Sequence, residues 1–153
     1  LTSEKPNLAK DLTRQYDAWF ADVSSTRSDN YAPPRIHIGN AKEPTTVLTR
    51  QDWRYAGPKG KGWTRNARGN WLVTVEQAGK YDIKVQFTND RKEAGTELTV
   101  NVGKDRFQSK VPADCTEFVF KDVTLHQGKQ AIDVLVDEGE MQHGPMMVYL
   151  TKK

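Results

Sequence analysis

At 153 residues, with 36% hydrophobic and 28% charged side chains, the chain has the size and balance of one ordinary globular domain with a substantial core. Its 23 Lys and Arg face 20 Asp and Glu, a net charge of +3 spread along the whole sequence, and no strand pairs aromatic with basic residues on one face as RNA-binding sheets do; both points argue against a nucleic-acid partner. No apolar run approaches the roughly 20 residues that span a bilayer, and the single Cys115 excludes an internal disulfide and a zinc cluster.

The chain begins at Leu1 rather than Met and shows no apolar signal segment, so it reads as a piece excised from a longer protein. Asn7 to Val23 is the one convincing helix. Leu8, Leu12, Tyr16, Trp19, Phe20 and Val23 recur at spacings of 3 and 4 and stack along one face. Pro6 suits the first turn, and Asn7 is placed to cap it. A stripe this aromatic needs a partner, which makes Tyr16, Trp19 and Phe20 candidate domain-interface residues.

A polar linker, Ser24 to Tyr31, runs into Pro33 and Pro34, which force an extended path. Beyond it the period changes to 2. Strands are expected at 36–38, 45–49, 71–75, 81–87, 96–102, 106–111, 117–125, 130–136 and 146–151, separated by turns such as Gln77-Ala78-Gly79 and His126-Gln127-Gly128. Tyr81, Ile83, Val85 and Phe87 point one way and Asp82, Lys84 and Gln86 the other. Between 117 and 125 the parity switches from Phe118 and Phe120 to Val123 and Leu125, which predicts a β-bulge near Asp122. About nine short strands with no crossover helix predict an all-β fold: an antiparallel sandwich of jelly-roll type preceded by one amphipathic helix.

The stretch Thr49 to Trp71 holds three of the four tryptophans among Arg, Lys and five Gly or Pro residues, and reads as a long loop with no regular strand. Trp71 is in phase with Val73 and Val75, so it belongs to the core, and Trp53 is expected to pack there too. Tyr55 and Trp63 are then left for stacking on a flat ligand, with Arg54, Arg65 and Arg68 beside them for anionic groups. Asn89 and Asp90, in the loop after the Tyr81 strand, are further candidates for binding saccharide hydroxyls. His37 should face outward, His126 and His143 have no ligand spacing, and Asp137, Glu138 and Glu140 read as solvated loop charge. Cys115 reads as a buried thiol at the start of a strand.

Two sets of motifs resemble known families. "GKYDIKV", "TELTVNVG" and "VTLHQGKQAIDVLV" resemble jelly-roll carbohydrate-binding and galactose-binding-like modules. "KPNLAKDLTRQYDAWFADVS", "PPRIHIGN", "TTVLTRQDW" and "GNWLVTVEQAGKYDI" resemble the closing segment and C-terminal extension of arylsulfatase-like proteins, over most of residues 5 to 88. The second resemblance implies that residues 1–31 end a sulfatase-type catalytic region and 32–153 form a non-catalytic accessory domain packed on it, within a secreted or periplasmic parent that uses calcium and formylglycine. Its partner would be the catalytic domain of the same chain; the alternative is a carbohydrate-binding module for sulfated or anionic glycans. The formylglycine motif, Cys/Ser-x-Pro-x-Arg, is not met at Cys115, which is followed by Thr-Glu-Phe-Val, so no catalytic residue, metal or cofactor is expected within these residues and no membrane partner is implied.

Overall fold

The computed structural model describes residues 4–25, 34–55, 64, 66–87 and 95–153. Two compact units, Leu1–Pro34 and Arg35–Lys153, divide the chain. Among the described residues no helix is long and apolar enough to cross a membrane.

The first unit holds helix α1, Pro6–Ser24. Its boundary residue is Lys5, which gives no side-chain cap, and Pro6 takes the first helical position, where its missing N–H costs nothing. Asn7 therefore lies inside the helix instead of capping it. At the other end Ser25 N–H donates to Ala21 O at 3.0 Å, and the Ser25 hydroxyl donates to Asp22 O at 2.7 Å. No helix residue is buried; Tyr16 and Trp19 are 58% and 57% exposed, and Tyr16 rests against both Trp19 and Phe20.

The second unit is a two-sheet sandwich. Its strands are β1 (Ile36–Ile38), β2 (Thr45–Thr49), β3 (Arg54–Tyr55), β4 (Gly69–Val75), β5 (Gly79–Gln86), β6 (Glu97–Val102), β7 (Asp105–Lys110), β8 (Glu117–Leu125), β9 (Gly128–Asp137), β10 (Gln142–His143) and β11 (Met147–Lys152). One sheet runs β1-β4-β9-β6-β7, with β3 added to β4 and β10 to β9; the other runs β2-β11-β5-β8. The fold is the expected all-β sandwich preceded by one helix, and its strand pairs are mostly antiparallel.

Alternation places the core. Trp71, Val73 and Val75 of β4 face Tyr81, Ile83 and Val85 of β5 across the interior, with Leu98, Val100, Ile132, Val134, Val148 and Leu150 filling the same layer. The predicted bulge is present: the β5–β8 register slips between Tyr81 and Ile83, and Asp122 adopts φ 56° opposite it. Asp82 Oδ1 accepts the Asp122 N–H at 3.0 Å, which fills the backbone bond the bulge would otherwise waste.

Three features differ from the sequence reading. β1 pairs with β4 in parallel, so the sandwich is not purely antiparallel. β3 and β10 are two-residue strands inside segments read as loops, too short for any period to show. β4 also starts at Gly69 rather than Trp71, because Gly69 and Asn70 pair with β3 and Asn70 with β9; Trp53 lies on that glycine, where a Cβ would come within 2.7 Å of the indole. Cys115 stands two residues before β8, half-buried against the core.

Candidate functional site

One end of the sandwich gathers the turn after β2, the short strand β3, residues 66–68 entering β4, and the segment from β10 to β11. Trp53 holds them together. It is 7% exposed, its ring sits 5.7 Å from that of Trp71, and Gly69 and Gly144 lie against it where a Cβ would collide. Trp71 in turn donates its Nε1–H to Thr49 O at 2.6 Å, which ties the end of β2 to the core of the opposite sheet. Both tryptophans are thus anchors, as the phase of Trp71 and the bulk of Trp53 suggested.

Arg50 is the second fastening. Its Nε–H donates to Pro145 O at 2.9 Å, Nη2 to Gly144 O at 2.8 Å, and Nη1 reaches Thr64 O at 3.4 Å, while the guanidinium lies 5.1 Å over the Trp53 ring. Burial pulls its pKa below the usual arginine value, the direction set by lost hydration. Gly144 closes the ring of contacts by donating its N–H to Ala67 O at 2.9 Å. The adjacent His143, 1% exposed, must carry a proton on Nδ1, because that atom lies 2.8 Å from Gly144 O and a carbonyl only accepts. Its Nε2 faces Glu138 Oε2 at 3.5 Å, within ion-pair distance but beyond a well-formed hydrogen bond.

Around this frame lies a recess of about 400 Å3 lined by Thr49, Arg50, Gln51, Met146 and Met147. Its floor is soft and apolar, and its rim offers the Gln51 amide. Tyr149, two residues along β11 from Met147, donates its hydroxyl to Gln86 Oε1 at 3.0 Å and carries Lys84 Nζ 4.4 Å over its ring.

Of the residues singled out from sequence, Arg54 and Tyr55 form β3 and pair with Asn70 and Gly69, and Arg68 is the residue that enters β4 next to that pairing. Arg54 Nε is buried without a hydrogen-bond partner. Trp63, Arg65, Asn89 and Asp90 fall outside the described residues. Met146, Met147 and the Gly144-Pro145 turn were missed: two methionines opening a strand look like core, and the link to Arg50 spans more than ninety residues of sequence. Asp137 accepts from Gly139 N–H and Gln142 Nε2, bonds that hold its pKa below the ordinary carboxylate value, so it is a turn-forming group. The residues present do not fit a formylglycine and calcium centre, since Cys115 lacks the Pro and Arg of that motif and the described residues form no group of His, Cys, Asp and Glu suited to a metal ion.

No family model matches the chain, and no curated protein matches it. Among solved structures it is similar to the CBM36-1 domain of a multidomain xylanase from the hindgut metagenome of Trinervitermes trinervoides, at 13% identity and TM-score 0.48 over 71% of this chain and 98% of that one. It is also similar to a Podospora anserina GH26-CBM35 β-(1,4)-mannanase, at 15% identity and TM-score 0.46, over 72% of this chain and 28% of the mannanase. A third is TmCBM61 in complex with β-1,4-galactotriose, at 12% identity and TM-score 0.30, over 72% of this chain and 85% of that one. The likeness is one of fold.

Proposed function

We propose that the Arg35–Lys153 sandwich is a non-catalytic glycan-binding module that takes anionic saccharides at the end built around Trp53. The observation that carries this reading is an apolar, methionine-floored recess on a frame fixed by Arg50 and Trp53, at the same end of the sandwich as the cationic pair Arg54 and Arg68. A sugar ring has an apolar face for such a floor and hydroxyls for Gln51, and sulfate or carboxylate groups pair with guanidinium. Arg50 itself is committed to main-chain carbonyls, so the selectivity for charge is assigned to Arg54 and Arg68, with Arg65, outside the described residues, as a further candidate. Tyr55 and Trp63 are assigned to stacking, and Asn89 and Asp90 to hydroxyl contacts.

Titration of the chain with sulfated oligosaccharides tests this. Arg54→Ala and Arg68→Ala should each weaken binding by about five- to tenfold, with a strong loss on raising salt. Absence of binding at low salt would remove the proposal.

A second reading is favoured by α1, whose Tyr16, Trp19 and Phe20 stand exposed along one face. In it the chain is the accessory part of a secreted or periplasmic sulfatase-type enzyme, and this stripe docks on the catalytic domain that holds calcium and formylglycine. Comparing the parent enzyme with and without these residues decides it: unchanged stability and activity on sulfated substrates would count against the role.

A further inference from the structure

The opposite flank of the sandwich carries a second cleft, independent of the site above. β7 is the last strand of one sheet and β8 the last of the other, so between them the interior opens to solvent. The gap is about 450 Å3, within the roughly 300–1,000 Å3 of small-molecule sites. Phe107 of β7 and Phe120 of β8 meet across it with ring centroids 6.5 Å apart, and Phe118 braces Phe120 edge-on at 5.1 Å. All three rings remain partly exposed where an ordinary core aromatic would be covered.

The bulge of β8 shapes the polar wall. Asp122 sits at φ 56°, a left-handed conformation that non-glycine residues seldom adopt, and it is locked there by Asp82 and by Lys153, whose Nζ lies 3.3 Å from Asp122 Oδ1. Bulges commonly re-aim side chains beside binding sites, and here the distorted turn places both Lys121 and Asp122 on the cleft. Across from them, Asp105 Oδ2 and His126 Nε2 are 3.9 Å apart, too far to satisfy one another by a hydrogen bond.

Charge selects the ligand. An anion would meet Asp105 and Asp122, a cation would meet Arg106 and Lys121, and a wholly apolar molecule would strip water from all of these groups without replacing it. A neutral polyhydroxylated ring suits both signs of charge at once. Its hydroxyls donate to the carboxylates and accept from lysine and arginine, and its C–H face lies on phenylalanine. We infer that the β7–β8 cleft is a binding site for neutral oligosaccharide chains, distinct from the cationic end of the sandwich.

Amide NMR titration of the full 153-residue chain with cellohexaose, mannohexaose and xylohexaose tests this inference. At least one should produce saturable shifts at residues 105–107 and 120–124, persisting in about 1 M salt, where surface charges are screened within about 3 Å. Phe107→Ala should weaken that binding about tenfold and Asp122→Asn, which keeps the left-handed backbone accessible, about three- to fivefold. Arg54→Ala and Arg68→Ala should leave it unchanged, so failure of the anionic-glycan reading does not touch this one. No shift at these amides with any of the three sugars, or shifts indifferent to Phe107→Ala and to Phe120→Leu in folded protein, would overturn it.

Discussion

The guanidinium of Arg50 lies 5.1 Å over the ring of Trp53 while two of its N–H groups are spent on the carbonyls of Gly144 and Pro145. One side chain therefore joins the turn after β2 to the segment before β11. Arg50→Ala removes charge-assisted bonds worth about 1.5–3 kcal/mol each and leaves two carbonyls short of donors, so a loss of about 2–4 kcal/mol is expected in chemical denaturation. Arg50→Lys should recover less than half, because an ammonium cannot reproduce the fork.

Gly144 touches the distal edge of the same indole. Gly144→Ala forces the ring to shift and should cost about 1–3 kcal/mol. The shorter ring of Trp53→Phe vacates that edge, so in the double variant Gly144→Ala should cost clearly less than in the wild-type background. Full additivity in a double-mutant cycle would contradict the contact.

Tyr81 repeats this logic at the other end. Its hydroxyl donates to Gln77 O at 2.6 Å, and Gly39, at φ 78°, leaves room for it. Tyr81→Phe should cost about 1 kcal/mol. Gly39→Ala should cost about 2 kcal/mol or more, since it adds a left-handed backbone penalty to an overlap with the tyrosine oxygen. Thermal unfolding of the two variants and their combination checks both.

Asp82 accepts the Asp122 N–H and is paired with Lys153 at 3.2 Å, and the backbone bond above all holds its pKa below the ordinary 3.8. A carboxylate with a depressed folded pKa contributes stability present above the unfolded value and lost as pH falls through the folded one. Denaturation midpoints of the wild type should therefore drop as pH goes from about 5 to about 2, and Asp82→Asn should flatten part of that slope. An unchanged acid limb would show that the bulge contact does not persist in solution.

Met146, 43% exposed, floors the recess without belonging to the core cluster. Met146→Ala should leave stability within about 0.5 kcal/mol and weaken binding of sulfated oligosaccharides by about threefold. Calorimetry separates the two effects.

Much of the sandwich could be read from alternation alone, because a half-buried strand must place Tyr81, Ile83 and Val85 on one face whatever it pairs with. The bulge was legible for the same reason: a parity change between Phe120 and Val123 has no other cheap explanation. Pairing was not legible. That Ile36–Ile38 lies parallel to β4 depends on neighbours that no local pattern names. At the candidate site Trp71 was readable from phase and Trp53 from bulk, whereas nothing in the sequence around Arg50 marks its partners. Its acceptors lie 94 and 95 residues away, and only the closed fold reveals that its charge is turned inward.

The pairing of β3 with the start of β4, together with the Arg50 contact to Thr64 O, has an engineering consequence. Both ends of the segment 56–63 leave from points already fixed to the scaffold. Tyr55 and Thr64 are therefore the junctions at which a cassette would be joined, and a library built between them should be screened for specificity with the β3–β4 pairing as the check that the scaffold is retained.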